Sequence, residues 1–175
     1  MYKWLLLTAV LICTPATAFP QEQKTEFELF GGYSHLQFND LHFNGWNAAI
    51  SQYLTDVVAF KLEGAGHYNV GRGKDDLIHT FFYGPQITLN KNGPIVGFVH
   101  AMPGLSVEHL ERTGTSIGST TDTSFTFNLG GGFDIKIRDG VYFRPVQIDW
   151  RYSRVNRDTL NGARLSAGFV YRFAE

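Results

Sequence analysis

The chain has almost no cysteine, a single residue at Cys13 among 175, so neither a disulfide-rich scaffold nor a cysteine-ligated metal centre is expected. Charge is also sparse. Charged residues make up 18% of the chain, with 15 Lys plus Arg against 16 Asp plus Glu, which argues against a basic nucleic-acid-binding surface and against a disordered polyelectrolyte. Long hydrophobic runs are missing from the body of the chain, where nothing approaches the ~18 consecutive apolar residues of a membrane helix. What is plentiful is aromatic side chains and glycine: 15 Phe, 8 Tyr and 3 Trp beside 19 Gly. The length corresponds to one domain.

The first 18 residues read as a targeting leader. Lys3 is the positive end, Trp4 to Cys13 form a short apolar run, and Ala16-Thr17-Ala18 places small residues where a signal peptidase requires them. Cys13 raises the alternative of a lipid anchor, but Ile12 is bulky for the position before a lipidated cysteine and the small-residue site follows at once. The expected mature segment is residues 19–175. Without Lys3 and Cys13 it holds 14 basic and 16 acidic residues and no cysteine.

Within that segment the dominant signal is period two. From Ser124 to Ile137, Phe125, Phe127, Leu129, Phe133, Ile135 and Ile137 alternate with Thr126, Asn128, Gly130, Gly132, Asp134 and Lys136, the pattern of a two-faced strand. Leu165 to Phe173 and Val57 to Tyr68 repeat it, weaker versions occur at Glu26 to Phe38 and Trp46 to Tyr53, and Leu77 to Leu89, Pro94 to Glu108 and Val141 to Tyr152 bring the expected strands to eight. Connections alternate in length. Short links at Leu54 to Asp56, Asn90 to Gly93 and Arg138 to Gly140 read as hairpin turns, whereas Asn39 to Asn44, Asn69 to Asp76, His109 to Thr123 and Arg154 to Gly162 read as longer polar loops. An even number of antiparallel strands with short turns at one end and long loops at the other predicts an all-β, eight-stranded, up-and-down transmembrane β-barrel.

Alternation alone leaves two orientations open. A soluble lipocalin-like barrel would turn the Phe and Leu set inward around an apolar ligand, whereas a membrane barrel turns it toward lipid. The polar set favours the second, because Glu28, Lys61, Glu63, Glu108, Asp134, Lys136, Asp149, Arg151, Arg164 and Arg172 balance in sign and lie among Gly, Ser, Thr and Asn. An eight-stranded interior is only wide enough for side chains, and mutually neutralising charges fit it. Arg172 and Glu28 are expected to pair where the last strand meets the first. Counting from the turn at Asp139-Gly140 sets Asp134 opposite Arg144 and directs Arg144 inward, whereas strict alternation from Gln147, Asp149 and Arg151 directs it outward; a bulge at Pro145 reconciles the two. Pro85 and Pro103 pose the same problem.

Several segments then resemble the small outer-membrane β-barrel family, the OmpA-like transmembrane class: Phe27 to Ser34 (FELFGGYS), Phe82-Tyr83-Gly84-Pro85, Leu129 to Asp134 (LGGGFD), Arg144 to Asp149 (RPVQID) and the terminal Phe169-Val170-Tyr171-Arg172-Phe173. The resemblance implies export to the outer membrane of a Gram-negative cell, insertion by the barrel assembly machinery, and a structural, adhesive or narrow-pore role. It also implies that Phe169, Tyr171 and Phe173 form the assembly signal, although here Ala174 and Glu175 follow Phe173.

Other chemistries find only some of the residues they need. Gly130-Gly131-Gly132 lacks the following helix that a phosphate loop needs. The six His residues, at 35, 42, 67, 79, 100 and 109, show no i, i+4 helical pairing, so no metal or cofactor is expected; His100 reads as a hydrogen-bonded lumen residue. A lipid A-modifying enzyme would need a Ser and a His in reach of each other, and Ser34, His35, His67, Ser106 and Glu108 are the candidate parts. Arg151, Arg154, Arg157 and Arg164 gather near the last loop and could meet lipopolysaccharide phosphates. The resulting expectation is a monomeric, non-enzymatic outer-membrane barrel that is bathed in lipid and lipopolysaccharide and binds no nucleic acid.

Overall fold

The computed structural model describes residues 26–38, 41–71, 74–111, 119–155 and 158–174. Residues 1–25, which include the expected leader, and residues 112–118 of the expected third loop lie outside these. The strands are β1 (Glu26–Phe38), β2 (Leu41–Tyr53), β3 (Val58–Gly71), β4 (Lys74–Leu89), β5 (Ile95–Glu111), β6 (Ser119–Arg138), β7 (Val141–Val155) and β8 (Asp158–Ala174). They follow one another round a closed barrel, and β1 pairs antiparallel with β8 at the seam. Closure gives every strand a neighbour on both sides, the condition for placing backbone in hydrocarbon.

The three short turns have local causes. In the first, Thr55 Oγ1 accepts hydrogen bonds from the amides of Val57 and Val58 at 3.2 and 2.9 Å. In the second, Asn90 adopts φ 54° and its carbonyl accepts from Gly93 N at 2.9 Å. In the third, Gly140 has φ 75°, a left-handed conformation that costs glycine little. At the other end the strands run farther than the alternation predicts. β2 begins at Leu41, β6 at Ser119 and β8 at Asp158, so much of the sequence expected as loop is paired strand. Beyond the apolar band the outer face turns polar, as at the end of β1–β2, where Gln37, His42 and Asn44 are exposed while Leu36, Phe38 and Phe43 are buried, so the apolar-outward pattern stops before the pairing does.

The bulge expected at Pro145 is present. Arg144 pairs with Gly168 and Gln147 with Ser166, so Pro145 and Val146 together face one residue of β8. Arg144 and Gln147 consequently both point inward. Pro85 and Pro103 are placed differently: the β4–β5 ladder is interrupted between Phe82–Gly104 and Gln86–His100, and both rings face outward where the missing N–H groups deprive no partner in that stretch.

Orientation separates the two barrel types. Phe125 and Phe169 are 50% and 60% exposed on the outer wall, whereas Lys61, Glu63 and Asp134 are 0% exposed inside it. The lipocalin-like alternative, with its apolar face inward, is therefore overturned. Leu62, Phe81, Ile148 and Leu165 join the outer band, and this apolar surface is stable only against lipid. Ile148 is the central residue of β7, and Ile148→Arg is expected to lower stability by about 2–4 kcal/mol in liposomes, the midplane cost of a lipid-facing Arg. Urea unfolding followed by Trp fluorescence measures it, with Ile148→Ala as the control for lost side-chain volume.

Candidate functional site

The lumen holds two ionic boxes, each neutral within itself. The box nearer the short turns is built from β1, β6, β7 and β8. Glu28 and Arg172 are direct partners across the seam, and Arg172 Nε donates to Glu28 Oε2 at 2.9 Å. Arg144 Nε donates to Asp134 Oδ1 at 2.6 Å and its Nη2 donates to Glu28 Oε1 at 3.0 Å. Arg172 Nη2 reaches Asp134 Oδ2 at 3.0 Å, so two carboxylates and two guanidinium groups close a ring. Phe30 and Phe98 flank the Arg144 guanidinium with centroids 4.5 and 4.0 Å away, and Tyr53 OH donates to Glu28 Oε2 at 3.1 Å. Below the box, Lys91 of the second turn lies over the Tyr53 ring at 3.9 Å and pairs with Glu26 at 2.9 Å.

The second box lies deeper and draws on β3, β5, β7 and β8. Lys61 pairs with Glu63 at 2.9 Å. Arg164 bridges Glu63 and Asp149, donating to Asp149 Oδ2 from Nη2 at 2.7 Å, and His100 Nε2 meets Asp149 Oδ1 at 2.8 Å. Gln147 joins the boxes: Arg144 Nη1 donates to its Oε1, and its Nε2 donates to Asp149 Oδ2, both at 2.9 Å. Room for the Asp149 carboxylate comes from its cross-strand partner Gly130. A Cβ at Gly130 would lie 2.0 Å from Asp149 Oδ1 and 2.5 Å from the Ile148 carbonyl oxygen. The glycine run that superficially suggests a phosphate loop is thus part of strand β6 and a socket for a buried acid.

Not all expected network residues join. Lys136 is a correction: it has the right parity, but its ammonium lies outside the lumen, paired with Asp139 of the turn at 2.8 Å. Parity fixes the face of a residue and not its depth, and two positions beyond Asp134 the strand has reached the solvent rim. The hydrogen bond from Lys136 holds the Asp139 carboxyl below its ordinary range. Arg151 is buried in the lumen, where its Nη2 donates to Thr80 Oγ1 at 2.9 Å beside the Phe82 ring. The Glu108 side chain lies outside the described residues. The expected arginine cluster for lipopolysaccharide is also corrected, because Arg151 and Arg164 are enclosed in the lumen; Arg154 is exposed and Arg157 lies outside the described residues.

Above the boxes Ser34 Oγ and His67 Nε2 lie 2.9 Å apart, a nucleophile–base distance. Both side chains are fully enclosed, and Ser166 Oγ donates to Ser34 Oγ at 3.2 Å. Leu36, Phe38, Phe43 and Ile78 then form an apolar cluster on the loop side. Phe169 and Tyr171 face outward, and Phe173 stacks on Phe27 and Tyr171 at 5.6 and 5.8 Å. Among the described residues no group of three or more His, Cys, Asp or Glu is arranged to hold a metal.

Sequence reasoning missed Gln147, Tyr53, Phe30 and Phe98 as members of the network. Phe30 shares the parity of Glu28 and Ser34, a signal masked by its aromatic character.

A family model for the outer membrane protein beta-barrel domain matches residues 5–173. The chain belongs to this family. Solved barrels of the same fold include Neisserial surface protein A, at 15% identity and a TM-score of 0.64, the match covering 85% of this chain and 97% of that one. The outer membrane protein OprG from Pseudomonas aeruginosa matches at 10% identity and a TM-score of 0.60, over 87% of this chain and 97% of that one. Ail, the attachment invasion locus protein of Yersinia pestis, matches at 12% identity and a TM-score of 0.56, over 86% and 98%. No curated protein matches the chain in sequence. At these identities the likeness is one of fold, and an outer-membrane barrel is what family and fold share.

Removing one partner from an enclosed ion pair leaves an uncompensated charge and typically costs about 3–5 kcal/mol. Arg144→Met is expected to fall in that range because it leaves Arg172 as the one cation between two enclosed carboxylates, Glu28 and Asp134. Asp134→Asn combined with Arg144→Met should cost less than the sum of the two changes, as a double-mutant cycle by urea unfolding would register.

Proposed function

We propose that this outer-membrane barrel is a non-enzymatic surface scaffold whose lumen is a packed ionic plug, with any solute passage limited by opening of that plug. The two neutral boxes carry this reading: they fill the section of an eight-stranded barrel with ion pairs that must be broken before a solute can pass. The outer apolar band anchors the protein in lipid, with lipopolysaccharide around its loop-side half, and the strands that extend past the band present the loops. In this reading residues 1–18 are removed on export and the assembly machinery reads Phe169, Tyr171 and Phe173, whose outward-facing rings support such a role. The protein acts as a monomer, since its closed wall leaves no strand edge for a partner. The enclosure of Ser34 and His67 disfavours a lipid A-modifying enzyme.

Planar-bilayer recording tests the plug. The purified protein is expected to give no steady openings of open-porin size. Asp134→Ala combined with Arg144→Ala removes one charge of each sign and should raise conductance at unchanged net charge. Large, steady steps from the unaltered protein would overturn the reading. Gel mobility with and without heating, on outer-membrane fractions, verifies that each variant is folded.

A further inference from the structure

At the loop-side end of the β1–β2 hairpin two histidines meet on the outer wall. His35 pairs with Asn44 across the strands, and His42, paired with Gln37, is its diagonal neighbour on the same face. His42 Nδ1 and His35 Nε2 are 3.4 Å apart. The ring centroids are 5.5 Å apart, longer than the nitrogen separation by roughly one ring diameter, so the nitrogens face each other edge to edge rather than lying in a face-to-face stack. Two imidazole nitrogens bound to one tetrahedral ion at 2.0–2.1 Å are separated by about 3.3 Å. The gap therefore has the width of a shared ion. His42 is exposed, and the broad χ2 torsion of histidine lets its ring tilt so that both lone pairs converge.

The neighbouring side chains set the protonation this requires. Asn44 Oδ1 accepts from Tyr33 OH at 2.6 Å and lies 2.8 Å from His35 Nδ1. An amide oxygen has no proton to give, so in neutral His35 the proton resides on Nδ1 and the lone pair on Nε2, toward His42. Orientation of a ligating imidazole through its other nitrogen is the usual outer-shell arrangement of metal sites. Without metal, His42 Nδ1–H donates across the gap; with metal, His42 takes its other tautomer and frees Nδ1.

We propose that His35 and His42 bind a divalent transition-metal ion of the zinc and copper class on the outer rim of the barrel, with Asn44 as the positioning residue. The remaining coordination positions face outward and go to water or to an anionic oxygen. Imidazole suits both metals, and Cu²⁺ is the tighter binder at a given site.

The test uses tag-free protein, folded in detergent micelles, titrated with Zn²⁺ by calorimetry and with Cu²⁺ by electron paramagnetic resonance. One tight ion per chain is expected, with Cu²⁺ hyperfine structure from two nitrogens. His35→Gln and His42→Gln should each weaken binding at least ~10-fold, and Asn44→Ala by about 10–100-fold. Asn44→Asp should restore affinity, because a carboxylate orients the imidazole in the same way, whereas His79→Gln should leave it within twofold. Undiminished binding by His42→Gln, an equal loss in His79→Gln, or a one-nitrogen spectrum would overturn the site.

Discussion

The constraint on which the rest of the structure depends is charge neutrality inside a space too narrow for bulk water. An eight-stranded wall encloses a section that side chains alone can fill, and each ion placed there loses its hydration. Only close, saturated pairing offsets that loss. The lower box meets the requirement by giving each guanidinium both carboxylates, Glu28 and Asp134. Its upper counterpart meets it by letting Arg164 span Glu63 and Asp149. The Pro145 bulge, the Gly130 socket and the inward turn of Phe30 and Phe98 all serve these contacts.

The outer wall obeys the complementary condition. Hydrocarbon accepts Leu, Ile and Phe but no unsatisfied amide, so strands must close before the apolar face can be presented. Pro85 and Pro103 stand beside one another on the β4–β5 pairing, where the ladder is interrupted. These two residues without N–H donors share one stretch, and the third proline within a strand, Pro145, sits at the β7–β8 bulge.

Much of this was legible in the sequence because a spanning strand has a period of two. Strand number, order and turns followed from it, as did the inward face of Lys61, Glu63, Asp149 and Arg164. The bulge was legible for a different reason: two counts through Arg144 disagreed by one residue, and a proline stood between them. Lys136 was misplaced because alternation carries no information about depth. The pairings of Arg144 with Glu28 and of Arg164 with Glu63 were illegible because they cross the lumen between strands that are not neighbours, and their meeting depends on the stagger of the closed wall. Strand ends beyond the membrane were also lost, since there the outer face turns polar and the apolar-outward pattern ends before the pairing does.

One consequence follows from where the ions reside along the chain. The final hairpin carries Arg144, Asp149, Arg164 and Arg172, while Glu28, Glu63 and Asp134 arrive earlier, on β1, β3 and β6. A cylinder still open at its first and last edges would expose Arg172 and Glu28 to the bilayer without each other. Neutralisation and circumferential closure are therefore one event, and a chain truncated before β8 would face hydrocarbon as an ionised, incomplete sheet.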